Sequence, residues 1–216
     1  MNKKTFLSLI LAATTLTGFA QTRTTQATLF REFKPSTITL KSGKKLKQPL
    51  TNVFLKNSSL VYLQGEYTME ANMDLIQAVE FENRKYINID NHLAYLIDSV
   101  GGNSLYRIDI FDMEAYKAQL RNNINISNLD LSSSDMISTS TIDLNNEEDY
   151  KFPVVPRFYY FYNGECFKVH EREISRRLPN DKDLKRKYKT IIGLDSFSWT
   201  DNESLVQLLK AITTNN

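Results

Sequence analysis

The 216-residue chain has one cysteine, Cys166, two histidines, His92 and His170, and only seven glycines. A single cysteine cannot form an internal disulfide, so the fold must depend on its hydrophobic core. Two histidines far apart in sequence and one cysteine do not make the usual zinc set. The few glycines form no phosphate loop or dinucleotide fingerprint, and no G-x-S-x-G nucleophile motif is present. The sequence therefore assigns no catalytic, cofactor-binding or metal-binding residue.

Long apolar runs are also scarce, and the one near the N-terminus is typical of a secretory signal. Lys3 and Lys4 precede an apolar stretch at residues 6–13, and small residues precede Gln21. This order of charge, apolar stretch and small-residue cleavage site predicts a signal peptide over residues 1–20. The stretch is shorter than the roughly 20 residues that span a bilayer. We expect an exported protein located in the periplasm, at the outer membrane or outside the cell.

The chain lacks the positive charge that a nucleic-acid partner would favour. It contains 27 Lys and Arg residues and 25 Asp and Glu residues, and residues 1–20 carry two of the lysines and no acid. The remaining chain is therefore formally neutral. Proteins that bind nucleic-acid phosphates usually carry a basic surplus. We therefore expect no nucleic-acid partner.

The pattern of residues 21–121 predicts a β-rich domain. Segments with alternating apolar residues are separated by turn residues at 42–43, 57–59 and 101–103, which is the pattern of antiparallel hairpins. Asp112 is positioned to cap a short helix that ends near residue 122. The polar segment 122–156 is interpreted as a linker or long loop. The fold class is α+β, with an N-terminal antiparallel roll or barrel.

Residues 157–216 are predicted to form a hairpin followed by short helices. Asn163-Gly164 suits a type I′ turn, which sets a register with Tyr162 opposite Glu165 and Phe161 opposite Cys166. One helix should end before Pro179, and a second should run from Asn180 or Asp181 to Gly193. The last helix should begin with a capping box of Thr200 and Glu203.

The hairpin places Cys166 and His170 on one face, which raises the question of a thiolate dyad. Four residues along a strand separate their Cα atoms by about 13 Å, whereas a nucleophile and its base need contact at about 3 Å. No sequence feature brings His92 to the thiol. We interpret Cys166 as a small buried thiol.

Acidic, basic and aromatic groups give weaker indications. The acids Asp109 with Asp112, and Asp143 with Glu147, Glu148 and Asp149, lack the spacing of a calcium loop. The basic runs are Lys41, Lys44, Lys45 and Lys47, and Lys182, Lys185, Arg186, Lys187 and Lys189. We interpret both as solvated surface, with an anionic lipid or glycan as the alternative. Five aromatic residues of the predicted sheet could form a surface that stacks on a sugar or peptide, or they could belong to the core. They are Phe54, Tyr62, Tyr67, Tyr95 and Tyr106.

Three segments carry a resemblance to uncharacterised secreted proteins of Bacteroidota: the signal ending "GFAQ", "ITLKSGKKLKQPLTNVFLKNSSLVY" and "FSWTDNESLVQLLKAI". The resemblance implies a β-rich front, a small helical tail and a cell-envelope or secreted location, and it transfers no site residue. The second segment is also similar to the opening of small SH3-like barrels. Asp98-Ser99-Val100 resembles the short O-glycosylation acceptor of Bacteroidota, which makes Ser99 a candidate modification site.

These observations favour a non-enzymatic envelope module that binds an envelope protein or a glycan. A glycan- or peptide-directed hydrolase is the first alternative, because paired carboxylates cannot be located from sequence. A small-ligand carrier is the second. A cleft with two close carboxylates would favour the hydrolase, and a free sheet edge would favour partner binding.

Overall fold

The computed structural model describes residues 26–123 and 152–213, which form one antiparallel sheet with helices at its C-terminal end. The alternating segments become strands because every second side chain is apolar and can be buried on one side. The strands are β1 Lys34–Leu40, β2 Lys45–Phe54, β3 Ser59–Gln64, β4 Tyr67–Glu70, β5 Ile76–Phe81, β6 Arg84–Ile89, β7 His92–Val100, β8 Asn103–Phe111, β9 Val154–Tyr162 and β10 Glu165–Lys168. The helices are α1 Met113–Asn123, α2 Glu171–Arg177, α3 Lys182–Ile192 and α4 Asn202–Thr213.

The sheet order in the described residues is β10-β9-β8-β7-β6-β5-β1-β2-β3-β4. Most neighbours are joined by hairpins, and β1 is placed between β2 and β5. The predicted α+β class with a β-rich front is confirmed. The sheet does not close into a barrel, so the barrel form of the prediction is wrong. β4 and β10 are both terminal strands.

The first half of the sheet curls because the β2–β3 loop reaches back to β7 and β8. The Ser58 carbonyl accepts a hydrogen bond from Leu93 N at 2.7 Å, and Ser58 Oγ donates to the Leu93 carbonyl at 2.8 Å. Phe111 N donates to the Leu55 carbonyl at 2.8 Å. We call the Leu55–Ser58 loop and these contacts the latch. It holds strands that are far apart in sheet order around a common interior.

The curled strands enclose a first hydrophobic core, which we call the roll core. Its buried members are Ile38, Val53, Leu60, Met73, Ile76, Val79, Phe81, Tyr86 and Leu93. Segment 26–33 pairs with the end of β2. There the fully buried Asn52 accepts from Phe30 N at 3.0 Å and donates to the Phe30 carbonyl at 2.7 Å. This pairing fixes the position of the Phe30 ring.

Helices α2, α3 and α4 bury their apolar faces on β8, β9 and β10 and form a second core. From the sheet it receives Leu105, Phe158, Tyr160, Tyr162 and Phe167, and from the helices it receives Ile174, Leu178, Leu184, Tyr188, Leu205, Leu208, Leu209 and Ile212. Tyr160 Oη donates to the Leu205 carbonyl at 2.6 Å. Thus the most deeply buried tyrosine also fixes the position of α4.

The predicted β9–β10 hairpin is confirmed in turn and register. Asn163 and Gly164 have φ of 50° and 84°, Tyr162 pairs with Glu165, and Phe161 pairs with Cys166. β9 starts at Val154, three residues before the predicted start. It pairs with β8 from Phe111–Val154 to Ser104–Phe161, so one sheet runs through both predicted parts. The linker between them falls largely outside the described residues.

Two of three predicted helix starts are confirmed. Asp112 Oδ1 accepts from Ala115 N at 3.0 Å, and Asp181 Oδ1 accepts from Asp183 N and Leu184 N. The capping box of Thr200 and Glu203 is wrong.

The cap of α4 is Asp201, whose Oδ2 accepts from Ser204 N at 2.8 Å. Ser204 Oγ in turn accepts from Ser198 N at 3.2 Å. The Ser198–Ser204 contact holds the turn before α4 against the first turn of the helix, and Asp201 is then the residue in position to cap it. No helix in the described parts of the chain is long and apolar enough to cross a membrane.

The latch leads to a stability prediction for Ser58, which is 2% exposed and has φ of 50°. Ser58→Ala removes a buried hydrogen bond and keeps a strained backbone, so we expect a loss of about 1–3 kcal/mol in the free energy of unfolding. Ser58→Gly relieves the strain and should lose less. Urea denaturation measures both, and an unchanged midpoint for Ser58→Ala would show that the Ser58 side-chain hydrogen bond adds no stability.

The β7–β8 turn leads to a second prediction. A Cβ added at Gly101 would lie 2.7 Å from Thr213 Cγ2, whereas one at Gly102 meets open space, and both glycines have positive φ. Gly101→Ala should therefore be less stable than Gly102→Ala by about 1 kcal/mol or more. Adding Thr213→Ser removes the clashing methyl and should cancel the difference in thermal melts. Equal melting of the two single variants would contradict the close approach of α4.

Candidate functional site

The structure does not bring Cys166 and the histidines together. His170 is the N-cap of α2, and its Nδ1 accepts from Arg172 N at 3.2 Å. His92 Nδ1 lies 2.5 Å from the Asn57 carbonyl oxygen. Cys166 is exposed, so its interpretation as a buried thiol is wrong. Partial burial still raises the pKa of the thiol, and Asp90 raises it further. A thiol held in its neutral form is a poor nucleophile.

The acidic candidates that the structure describes have structural partners. Asp109 forms a salt bridge with Arg107 at 2.6 Å, and Asp112 caps α1. Asp143 and the acids at 147–149 lie outside the described residues. No group of three or more His, Cys, Asp or Glu side chains suited to a metal ion occurs in the described residues.

The two basic runs lie at the surface, as predicted. The lysines of the β1–β2 hairpin are exposed, and α3 buries Leu184 and Tyr188 while its basic side chains face water. The five sheet aromatics do not share one surface. Tyr95 packs against the roll core, whereas Tyr106 packs on the opposite sheet face against Ile89, Ala94 and Ile108.

Ser99, the candidate modification site, lies on β7 close to its end and is exposed. Its backbone N donates to Asp98 Oδ1 at 2.8 Å, and Lys210 approaches Asp98 Oδ2 at 3.2 Å. The Ser99 amide and then Lys210 hold the pKa of Asp98 below its usual range. The hydroxyl is accessible, and its modification stays a prediction.

A cross-strand row that sequence reasoning missed connects the two cores. Tyr86 pairs with Tyr95, Tyr95 with Arg107, and Arg107 with Phe158. Tyr86 belongs to the roll core and Phe158 to the helical core. The row therefore runs along one sheet face from the curled strands to the helices, where Arg107 Nη1 contacts Asn202 Oδ1 at 3.4 Å.

Basic side chains lie over aromatic rings at this junction. The Arg84 guanidinium carbon is 5.3 Å from the Tyr95 ring centroid and 5.8 Å from that of Phe30. Lys34 Nζ lies 4.9 Å from the Phe30 centroid. We call Phe30, Lys34, Arg84, Tyr86 and Tyr95 the cation–aromatic cluster. Its members come from three separate segments, so no sequence spacing indicated it.

Tyr86 is the chemically unusual member of the cluster. The residue is 3% exposed, and its hydroxyl is a buried side-chain atom whose proton has no acceptor among the described residues. Arg84 approaches the hydroxyl oxygen as a donor, without the geometry of a full hydrogen bond. Such an unpaired hydroxyl costs about 1–3 kcal/mol. Burial raises the pKa of Tyr86 to about 12, and the nearby Arg84 opposes that rise.

An open groove of about 480 Å³ lies between the β9–β10 turn and α2, lined by Tyr162, Asn163, Glu165, Arg176 and Arg177. Arg177 pairs with Glu165 at 2.9 Å, and it also pairs with Glu173. Its guanidinium lies over the Phe167 ring at 4.1 Å. The hydrogen bond from Arg177 holds the pKa of Glu173 below its usual range.

This groove brings two carboxylates to one arginine, but the electrostatics do not suit acid–base hydrolysis. A glycosidase needs one carboxyl group with a raised pKa to protonate the leaving group. Here Arg177 stabilises the charged form of Glu173.

Comparisons with protein-family models, with curated proteins and with solved structures found no match.

We expect Tyr86→Phe to keep or increase stability by up to about 1 kcal/mol, because it removes an unpaired hydroxyl. Tyr160→Phe is the matched control and should lose about 1–2 kcal/mol with its bond to Leu205. Urea denaturation of both variants at neutral pH tests this. A loss for Tyr86→Phe as large as that for Tyr160→Phe would reveal a partner for the Tyr86 hydroxyl.

The stability of Tyr86→Phe can also be compared with that of the wild type at high pH. A folded-state pKa raised from 10.0 to about 12 stabilises the protein fully below pH 10, and this contribution is lost as pH rises to about 12. Tyr86→Phe should therefore lose less stability than wild type over this range. Equal losses of unfolding free energy in Tyr86→Phe and wild type between pH 10 and 12 would show that Tyr86 does not contribute to alkaline unfolding.

Proposed function

We propose that the chain is an exported, non-enzymatic module of the bacterial cell envelope that binds a partner protein at the edge of β4. The observation that carries the proposal is a terminal strand with exposed apolar side chains. Tyr67 is 75% exposed and Met69 is 41% exposed. β4 pairs only with β3 in the described sheet.

An edge strand presents backbone N–H and C=O groups that a further strand can pair with. Proteins that avoid such pairing place charges or proline on their edges. β4 carries one charge, Glu70, at its end, and it also presents an aromatic and a thioether side chain, which supply apolar contact area to a partner. Backbone pairing and side-chain burial would therefore act together at this edge.

The charge around β4 supports an extended, basic partner segment. Glu66 precedes the strand and Glu70 is its last residue, and both are exposed. Two molecules of this chain pairing edge to edge would bring these acids together, which disfavours a β4–β4 dimer. A lysine- or arginine-bearing strand would pair with them instead.

Export is proposed from residues 1–20, whose pattern is that of a cleaved signal peptide. The resemblance to secreted proteins of Bacteroidota supports the same location. Both are consistent with a partner in the periplasm, at the outer membrane or outside the cell. The glycan-directed hydrolase finds no support in the groove beside α2, because Glu173 is stabilised as a charged group there.

The test places a photo-reactive amino acid at Tyr67 in the full-length chain, expressed in its native host. We expect cross-links from this position to a lysine- or arginine-rich segment of one envelope protein, identified by mass spectrometry. The same probe at Leu194, which is 49% exposed, is the matched control. Met69→Lys should reduce the cross-link several-fold by charge repulsion with the basic segment.

Two outcomes would overturn the proposal. One is the absence of position-specific cross-links at residue 67, with the protein recovered alone. The other is equal capture from residues 67 and 194, which would indicate random collision. Circular dichroism on Met69→Lys tests whether the fold is kept. If it is, a lost cross-link shows weaker binding at the β4 edge and not unfolding.

A further inference from the structure

Three arginines in the described residues lie over aromatic rings, and two of them have acidic partners. Arg107 lies over Phe158 and pairs with Asp109. Arg177 lies over Phe167 and pairs with Glu165 and Glu173. Arg84 contacts two rings, and no described carboxylate lies within salt-bridge distance of it. Among these three arginines, Arg84 alone lacks an acidic partner in the described part of the chain.

A second cation without an acidic partner lies at the same place. Lys34 and Arg84 both contact the Phe30 ring, and no salt bridge to Lys34 occurs in the described structure. Two positive charges that converge on one ring repel each other unless solvent or an anion separates them. Asn52 and the Phe81 ring, 4.9 Å from that of Phe30, fix this ring in place.

Below these cations lies a donor without an acceptor. The Tyr86 ring packs between Phe81 and Tyr95, with centroid distances of 5.7 Å to each. Its hydroxyl is buried, and no described group accepts its proton, although Arg84 approaches the oxygen as a donor. Arginine has donors only, so Arg84 cannot accept the hydroxyl proton. A ligand oxygen could.

We propose that the cation–aromatic cluster binds an oxyanion group, with Arg84 as the main ligand, Lys34 as the second cation and Tyr86 as a neutral donor. A guanidinium stacked on a ring keeps its in-plane N–H groups free for a carboxylate or a phosphate. The cluster lies on β1, β6, β7 and segment 26–33, so this site does not depend on binding at β4.

The shared chemistry of the ligand is a small group with at least two anionic oxygens. A carboxylate on an acidic sugar and a phosphate group both meet it. A neutral sugar does not, because the faces of Phe30 and Tyr95 are already occupied by cations. Phosphate and glucuronate therefore serve as the two probes, with glucose as the uncharged reference.

The experiment uses the full-length protein at constant ionic strength and follows the Arg84 side-chain N–H signals by NMR during titration with each probe. We expect saturable shifts with phosphate, glucuronate or both, and none with glucose. Arg84→Gln should weaken binding about tenfold or more. Lys34→Gln and Tyr86→Phe should weaken it about threefold to tenfold, measured by calorimetry.

Lys85→Gln is the matched control, because Lys85 is the next residue on β6 and already pairs with Glu80 at 3.3 Å. It removes the same charge and should leave affinity unchanged within about twofold. Non-saturable shifts with both anions, or equal losses in Arg84→Gln and Lys85→Gln, would overturn the proposal. Preference for phosphate or for glucuronate identifies which kind of ligand the site takes.

Discussion

The two hydrogen bonds between Ser58 and Leu93 are the constraint on which the rest of the structure depends. They join residues 35 positions apart and hold the curled strands around the roll core. Because β7 pairs with both β6 and β8, the same contact fixes the curl relative to the strands that support the helices. Closing such a long loop costs entropy, which the buried side chains of the roll core offset.

Local chemistry made the hairpins and most helix starts predictable. Asn163-Gly164 fixes the β9–β10 register, because only such residues adopt both positive φ values easily. The start of α4 was misplaced because Thr200 and Asp201 are both good caps, and a contact from Ser198 to Ser204 decides between them. The curl itself could not be predicted, since it depends on a loop that contacts strands far along the chain.

The candidate site shows the same limit more strongly. Sequence reasoning singled out Cys166 and His170 because they are rare residues close in sequence, and the structure gives them unrelated environments. Phe30, Arg84 and Tyr95 have no distinctive spacing, and they meet only because β1, β5, β6 and β7 are neighbours in the curled sheet. The signals that identify the cluster are the absence, among the described residues, of an acidic partner for Arg84 and of an acceptor for the Tyr86 hydroxyl. Both are properties of the folded chain and cannot be read from the sequence.

The two ends of the sheet differ chemically, and this difference sets a limit on stoichiometry. At one end β4 presents Tyr67 and Met69. At the other end β10 carries Glu165 and Lys168 and is bordered by α2 through Arg177. If β4 accepts a partner strand as proposed and β10 does not, the sheet gains one strand and does not extend through its opposite end. An assembly of that kind is a closed pair and not a fibre.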